Sequence, residues 1–423
     1  MEKVKVDLPE RVEKRFVVSN QDFIKKLLEI AEEISFSDKK YIQTVYFNNE
    51  EYVVPLTSSI KARTYLQGPQ EHPTLLYDSE YFIDFKEAKD KYRRIKERVK
   101  TNLKDGLKII NKNFKLQVRP FVIVEYFRRH FVPKNGENTR ITVDSQLRYF
   151  YLTDKKEVIE LGKEDYNRIE IKSKEQDNQI ALKAEELLKE AGAVSVISKK
   201  FMAYNLLRGY IEKNNGNKIY KELPGIEIEA KLELEGEDPF LEIKNLFREK
   251  NVSGFILPPH FPFTLVSGSL NRYYQDKKGV FKAMFRGNEA RIIRKGKSEI
   301  VKDSYNLNCI LRREENKGEM IPANSEIFKN SKFLGELYRG RKAFWVDKPE
   351  TKRTYHISLD RCSSDFGELY ELEIEFTGNY SDVKTNSEEE IIEDIAFLTK
   401  FILERFPQLK KSQLTKENWL LSK

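Results

Sequence analysis

Residues 225–235 read Gly-Ile-Glu-Ile-Glu-Ala-Lys-Leu-Glu-Leu-Glu. In an extended chain successive side chains point to opposite faces. Glu227, Glu229, Lys231 and Glu233 therefore share one face, and Ile228, Ala230, Leu232 and Leu234 the other. One such strand fits two arrangements: a half-buried sheet with its charges in water, or a barrel strand with its charges turned into a lumen. Recurrence favours the second. Lys61 and Arg63 flank Ala62, and Asp84 and Lys86 alternate with Ile83 and Phe85. Arg140, Thr142 and Asp144 alternate with Ile141 and Val143, and Arg168, Glu170 and Lys172 with Ile169 and Ile171. Later, His356, Ser358 and Asp360 alternate with Ile357 and Leu359, and Glu371, Glu373 and Glu375 with Leu372, Ile374 and Phe376.

A barrel of about eight strands has room inside for side chains and one small ligand. Charges lining it must be paired or matched by an ionic ligand, because burying them bare is costly. Arginine and lysine with a few glutamates suit a polyphosphate: cations take phosphate oxygens, and carboxylates hold a divalent metal that bridges them. The net charge of +8, from 76 basic and 68 acidic residues, agrees with an anionic partner while leaving both signs interspersed. Cys309 and Cys362 are far apart, and the four histidines are scattered, which disfavours a disulfide framework, a zinc site or a histidine-based centre. The first residues lack the apolar core of a leader, and no apolar run approaches the roughly 20 residues that cross a bilayer. A cytoplasmic protein with no membrane span is expected.

At 423 residues, two domains are expected. The first half reads as a strand at 11–18, a helix at 20–34 capped by Ser19 or Asn20, and strands at 42–47, 60–65 and 81–86. A basic helix at 89–113 follows, then strands at 121–127, 140–144 and 167–172. Helices at 176–191, ended by Gly192, and at 198–213 complete it. Asn214-Asn215-Gly216-Asn217 reads as a linker. Beyond it the pattern restarts: the charged strand, a helix with Asp238 as cap and Pro239 at its first position, strands across 263–376, and a long helix opened by Ser387 and Glu390. The expected fold is α+β: two tandem antiparallel eight-stranded barrels with flanking helices, over 1–213 and 218–423.

Glu227-x-Glu229-x-Lys231 resembles the opening strand of the triphosphate tunnel metalloenzyme superfamily, and Glu371, Glu373 and Glu375 resemble its late acidic strand. The first half resembles the VTC-type polyphosphate polymerase domain in particular. The matching segments are Arg11-x-Glu13-x-Arg15-Phe16, Val45-Tyr46-Phe47-Asn48, Lys61-Ala62-Arg63-Thr64-Tyr65, Phe82-Ile83-Asp84-Phe85-Lys86, Arg119-Pro120 with Tyr126-Phe127-Arg128, and Arg140-Ile141-Thr142-Val143-Asp144. Ile169-Glu170-Ile171-Lys172 and Ser198-Lys199-Lys200-Phe201 extend the match. An extra residue in that last segment leaves Lys199 and Lys200 both open as the family's lysine. The second half resembles a diverged CYTH domain, with Arg313, Lys342 and Asp360 as further tunnel residues. Its Ala290-Arg291-Ile292-Ile293-Arg294 departs from the alternating basic spacing, so one of the two arginines must point outward unless a bulge intervenes.

The resemblance implies roles. Lys61, Arg63, Lys86, Arg128 and Lys200 are expected at the catalytic site. Arg15, Arg119, Arg140, Lys172, Lys199, Lys231, Arg291, Arg294 and Arg313 are expected on phosphate. Glu13, Glu170, Glu227, Glu229, Glu373 and Glu375 are expected on Mg²⁺ or Mn²⁺. The ligand would be ATP, triphosphate or polyphosphate, and the reaction phosphoryl transfer in the N-terminal tunnel. With a phosphate chain as acceptor it is polymerisation, with water triphosphatase action, and with the ribose 3′-hydroxyl cyclisation; no general base stands out. The alternatives are a non-catalytic polyphosphate or nucleotide sensor, or an RNA 5′-end enzyme. The second tunnel is expected to be a less active copy.

Overall fold

The computed structural model describes residues 6–19, 22–34, 40–75, 77–88, 93–114, 117–134, 139–175, 178–215, 226–286, 289–315, 318–379 and 387–422. The chain divides into two compact units, Met1–Tyr210 and Ile211–Lys423. Each is built on one antiparallel sheet of eleven strands with helices, an α+β fold.

The first unit begins β1 (Val6–Val18), α1 (Phe23–Ile30), β2 (Ala31–Ile34), β3 (Tyr41–Asn48), β4 (Ser58–Leu66), β5 (Glu80–Ala88) and β6 (Arg93–Asn102). It continues α2 (Leu103–Phe114), β7 (Arg119–Pro133), β8 (Arg140–Leu152), β9 (Val158–Glu164), β10 (Asn167–Ser173), α3 (Gln179–Glu190), β11 (Val194–Ser195) and α4 (Lys199–Asn214). The second begins β12 (Ile226–Leu234), α5 (Phe240–Arg248), β13 (Leu265–Asp276), β14 (Gly279–Arg286), β15 (Glu289–Ile293), β16 (Lys295–Ile300), β17 (Ile310–Glu315) and β18 (Glu319–Pro322). It ends α6 (Glu326–Lys329), β19 (Lys332–Lys348), β20 (Arg353–Ser364), β21 (Gly367–Asn379), α7 (Glu388–Arg405), β22 (Leu409–Ser412) and α8 (Lys416–Leu421).

The first sheet runs β2-β7-β3-β4-β5-β6-β1-β10-β8-β9, with β11 on β1, and β7 also pairs β8. That last ladder leads from β8 back to β7, so eight of the strands form a continuous circuit of pairings, with β2, β9 and β11 attached to it. The second sheet runs β16-β17-β12-β21-β20-β19-β13-β14-β15-β18, with β22 on β12. Among the described residues no pairing joins its two ends. The expected pair of closed eight-stranded barrels is corrected accordingly: each sheet has eleven strands, and the second is an open path.

Two helix readings are also corrected. Of the basic stretch at 89–113, residues 89–92 lie outside the described residues, and 93–113 are strand β6 followed by α2, because Lys96, Arg98 and Lys100 follow the period of a strand, two, and β6 bridges β5 to β1. Helix α1 begins after Asp22 and stops at Ile30; Ala31 turns extended, at φ −140° and ψ 158°, so that β2 can pair with β7. The proposed cap Asn20 lies outside the described residues, as do Gly216 and Asn217 of the proposed linker. The start of α3 falls at Gln179, where the Asn178 side chain accepts the Ala181 N–H. Gly192 ends that helix at φ +75°, a left-handed conformation that costs glycine little. Asp238 accepts the Phe240 N–H at the start of α5, with Pro239 at the cap rather than inside the helix. Ser387 accepts the Glu390 N–H and opens α7.

The apolar face of each charged strand faces the helices. Phe16, Ile141, Val143, Ile169 and Ile171 pack with Phe23 and Leu27 of α1 and with Ala181, Ala184 and Leu188 of α3. In the second unit Ile228, Ala230 and Leu232 pack with Phe240 and Ile243 of α5 and with Ile391, Ile395 and Leu398 of α7. With the apolar face committed to this core, the opposite face of the same strands carries the charges, and their burial decides whether that face meets open water.

Candidate active site

Burial settles the choice between a solvated face and an enclosed one. On β12, Glu229 is 2% exposed and Lys231 3%. On the first sheet Glu13, Asp84, Arg128, Asp144 and Lys172 are all buried. These groups face one another across ladders, and the register explains who meets whom.

In the first unit β4 brings Lys61 opposite Asp84 of β5, and β6 brings Arg98 opposite Asp84 and Lys96 opposite Lys86. Asp84 becomes an anionic hub: Arg98 donates Nε to it at 2.7 Å, the Lys96 ammonium lies at 3.1 Å, and Arg63 reaches it at 3.5 Å. Burial opposes its charge, but the Arg98 hydrogen bond with Lys61, Arg63 and Lys96 outweighs that, and its carboxyl titrates well below the usual range. The cations have less compensation. Burial, with Lys86 beside it, holds Lys61 well below an ordinary lysine. Burial, with Arg98, Arg63 and Lys86 against the single anion Asp84, brings Lys96 down to about 6.

A second cluster joins β1, β10, β8, β7 and α4. Arg15 stands opposite Glu170 on the β1–β10 ladder, and Glu13 opposite Lys172. Glu13 accepts from Lys86 and Arg15, each at 2.7 Å. Glu170 accepts from Lys172 at 2.5 Å and from Lys199 at 3.2 Å. Arg128 grips Asp144 with Nε at 2.5 Å and an Nη at 2.6 Å, and Lys199 donates to the same carboxylate. Tyr126 lies beneath both cations, its ring 5.0 Å from the Arg128 guanidinium and 4.9 Å from the Lys199 ammonium. Burial alone would protonate Glu13 and Glu170, but the surrounding cations hold both well below the carboxylate norm. Burial takes Lys172 down to about 7 despite Glu170 and Glu13.

These two clusters collect Glu13, Arg15, Lys61, Arg63, Lys86, Arg128, Arg140, Glu170, Lys172 and Lys199 into one charged neighbourhood, Arg140 acting on Lys172. Two expected residues lie apart from its carboxylates. Arg119 donates to Glu50 and to the Leu152 and Pro120 carbonyls, over the rings of Phe121 and Tyr151. Lys200 donates to the Ser58 carbonyl at 2.7 Å and the Leu56 carbonyl at 3.4 Å, at the base of β4, while Lys199 faces the carboxylates. Lys96, Arg98 and the hub role of Asp84 were not expected. Reading 89–113 as helix hid the first two, though the alternation of Lys96, Arg98 and Lys100 was visible.

The second unit repeats part of this frame. Lys231 stands opposite Glu373 and Glu229 opposite Glu375 on the β12–β21 ladder. The Lys231 ammonium lies 2.6 Å from Glu373, 3.1 Å from Glu229 and 3.2 Å from Glu371. Arg341 grips Asp360 with two bonds of 2.6 Å and reaches Glu373. Lys416, from α8, meets Asp360 at 3.0 Å, Glu371 at 2.6 Å, and also Glu373. Burial opposes the charge of Lys231, but Glu229, Glu373 and Glu371 outweigh it and raise its pKa. Burial pushes the Glu371 carboxyl up to about 7. Glu227 approaches Arg313 only at 3.8 Å, and Glu375 approaches His356 at the same distance. Lys342 turns instead to Asp238 at 3.2 Å. Arg291 is exposed and Arg294 pairs with Asp276, so neither joins the carboxylates. Arg341 and Lys416 were missed; the pair Thr415-Lys416 echoes Ser198-Lys199, the one sequence trace of Lys416's position.

Among the described residues no group of three or more His, Cys, Asp or Glu side chains could by itself hold a metal ion. Mg²⁺ is commonly held by one or two carboxylates with substrate phosphates completing its shell. Glu13 and Glu170, both ionised, would supply such a pair once ligand phosphates draw off the Lys86, Arg15, Lys172 and Lys199 groups that now occupy their oxygens. Among the described residues no helix is long and apolar enough to cross a membrane.

The profile of the VTC domain family matches residues 59–207. That stretch contains Lys61, Arg63, Asp84, Lys86, Arg128, Arg140, Glu170, Lys172, Lys199 and Lys200. Solved structures with a similar chain include a candidate adenylate cyclase of Vibrio parahaemolyticus, 14% identical with a TM-score of 0.29 over 47% of this chain and 98% of that one. A candidate adenylyl cyclase of Hippeastrum with a dominant triphosphatase activity is 17% identical, with a TM-score of 0.30 over 46% and 95%. The RNA triphosphatase of S. pombe is 14% identical, with a TM-score of 0.25 over 50% and 92%. No curated protein matches the chain.

Proposed function

We propose that the first unit is a tunnel-type phosphoryl-transfer enzyme acting on a triphosphate, and that polyphosphate synthesis from ATP or hydrolysis of the triphosphate is its reaction. One observation carries this reading: among the described residues Lys61, Arg63, Lys86, Lys96, Arg98, Arg15, Arg140, Lys172, Arg128 and Lys199 crowd, largely buried, around four acids, Glu13, Asp84, Asp144 and Glu170. Such an excess of enclosed cations is costly unless an anion of several charges enters. The match of residues 59–207 to the VTC domain points the same way.

Phosphoryl transfer asks mainly for positioning and charge neutralisation. Arg63, Arg128 and Arg140 present planar forks that meet two phosphate oxygens at once. Lys61, Lys86 and Lys96 act as point charges on the same chain, and ligand phosphates would draw protons onto Lys61 and Lys96. Asp84 and Asp144 hold Arg98 and Arg128 in place, so the forks are set before the ligand arrives. Glu13 and Glu170 would hold a divalent ion together with the ligand, and the ion would neutralise phosphate oxygens and polarise the reacting phosphorus. Cytoplasmic residence suits a polyphosphate or nucleotide ligand. Incubation with ATP and Mn²⁺ and separation of the products tests the reading. Long chains identify a polymerase, orthophosphate a triphosphatase and cyclic nucleotide a cyclase, whereas no product with tight ATP binding makes the unit a sensor.

A further inference from the structure

We infer that the second unit has replaced a divalent metal with two of its own ammonium groups, and that Lys416 is the group that keeps metal out. Of the carboxylates expected to hold Mg²⁺ or Mn²⁺ there, Glu373 does not fit one as it stands, and neither does its neighbour Glu371. Lys231 and Lys416 converge on the same two oxygens, Glu371 Oε1 and Glu373 Oε1. Two ammonium groups carry together the charge of one divalent ion, at the place such an ion would bridge. The other oxygen of Glu373 takes Arg341, and both oxygens of Asp360 take Arg341 as well.

Lys416 is held rigidly for this role. Thr415 caps α8 by accepting the Asn418 N–H, and Trp419 and Leu420 are buried against Tyr273, Leu337, Cys362 and Leu369. The ammonium is thus delivered from a fixed base, so little side-chain freedom is lost in placing it. The acids still carry spare capacity: Glu229 Oε1 and Glu371 Oε2 are buried and without a hydrogen-bond partner among the described residues. These two residues are 2% and 1% exposed. Removing Lys416 would leave Asp360, Glu371 and Glu373 short of one positive charge in a buried setting, where an unmatched anion recruits a cation or a proton. Hard divalent ions take such oxygen ligands. In the first unit the position matched to Glu371 is Arg168, which turns to Glu164, so Lys199 there faces two acids rather than three.

The test is Mn²⁺ binding to the full chain, read by electron paramagnetic resonance, with Glu170→Gln in every variant to weaken the first unit's site. This makes the outcome independent of whether the first unit turns over ATP. With Lys416 present, Glu373→Gln should leave Mn²⁺ binding unchanged. Lys416→Met should add one binding site, at least tenfold tighter than the background, and Lys416→Met with Glu373→Gln should lose it again. Lys416→Arg should still exclude the metal. Thermal unfolding with and without Mn²⁺ checks folding: Lys416→Met should gain metal-dependent stability, and the Lys416-containing chain should gain none at the second unit. Mn²⁺ binding that Glu373→Gln abolishes while Lys416 is present would overturn the inference. So would a folded Lys416→Met chain that binds no additional Mn²⁺.

Discussion

The two units place the same frame at matching positions and surround it with opposite charge. In the first, an arginine on β7 grips an aspartate on β8, and a lysine at the start of α4 joins that aspartate to a glutamate on β10: Arg128, Asp144, Lys199, Glu170. In the second, Arg341 on β19, Asp360 on β20, Lys416 at the start of α8 and Glu373 on β21 repeat it. The ladders carry the match further. Arg15 opposite Glu170 corresponds to Lys231 opposite Glu373. Arg140 opposite Lys172 corresponds to His356 opposite Glu375. Arg168 opposite Asp144 corresponds to Glu371 opposite Asp360. The frame is common, and three of its neighbours have gone from cation to acid or histidine. A shared backbone thus supports an anion-demanding site in one unit and a self-neutralised one in the other, because the strand fixes where side chains point and not their sign.

The strongest way to break the comparison is to move the difference across. Arg140→His with Lys172→Glu gives the first unit the second's residues and should weaken tripolyphosphate binding by roughly 100-fold or more, since charge-assisted hydrogen bonds are worth about 1.5–3 kcal/mol each. Isothermal titration at fixed salt measures it; unchanged affinity would mean that these positions do not set the ligand charge.

Next in size is Asp84→Asn. It leaves Lys61, Arg63, Lys96 and Arg98 without their buried anion, and breaking a buried pair costs about 3–5 kcal/mol. The variant should unfold at lower temperature than wild type and recover more of the difference on adding tripolyphosphate, which supplies the missing charge. Asp276→Asn, which breaks the half-exposed pair with Arg294, should show no such rescue.

A smaller effect is a proton count. Free Lys96 titrates near 6 in the folded protein, below its ordinary value. Between that point and the usual lysine range the unfolded chain holds a proton that the folded one lacks, so this group makes stability rise with pH across that window. A bound phosphate would restore the proton. Tripolyphosphate binding at pH 8 should therefore take up protons, seen as a dependence of the titration heat on buffer ionisation enthalpy. Lys96→Met should lower the uptake. The smallest effect is expected at Arg291, which is exposed and away from the carboxylates: Arg291→Ala should change stability by under about 0.5 kcal/mol.

Much of this was legible in the sequence where a strand alternates. Lys61-x-Arg63, Asp84-x-Lys86, Glu170-x-Lys172 and Glu229-x-Lys231 each declared a charged face, and their apolar partners declared the core. Two kinds of information were not local. Lys96 and Arg98 lay in a stretch whose charge density suits a helix surface as well as a strand, and only pairing with β5 and β1 decides it. Lys416 reaches its site from a short terminal helix, far in sequence from Asp360 and Glu373, so no spacing could place it. The strand count was illegible because β2 and β11 are attached by long-range pairing, and β9 by a hairpin to β8, without a charged alternation of their own.

The most direct test compares matched glutamates. Wild type, Glu170→Ala and Glu373→Ala are each incubated with ATP and Mn²⁺, and the phosphate-containing products are quantified. Loss of a preorganised charge at a reacting centre costs roughly 10²–10³-fold in rate. Turnover should fall by that order in Glu170→Ala and stay near the wild-type level in Glu373→Ala. A fully active Glu170→Ala protein, or one silenced only by Glu373→Ala, would contradict the placement of the chemistry in the first unit.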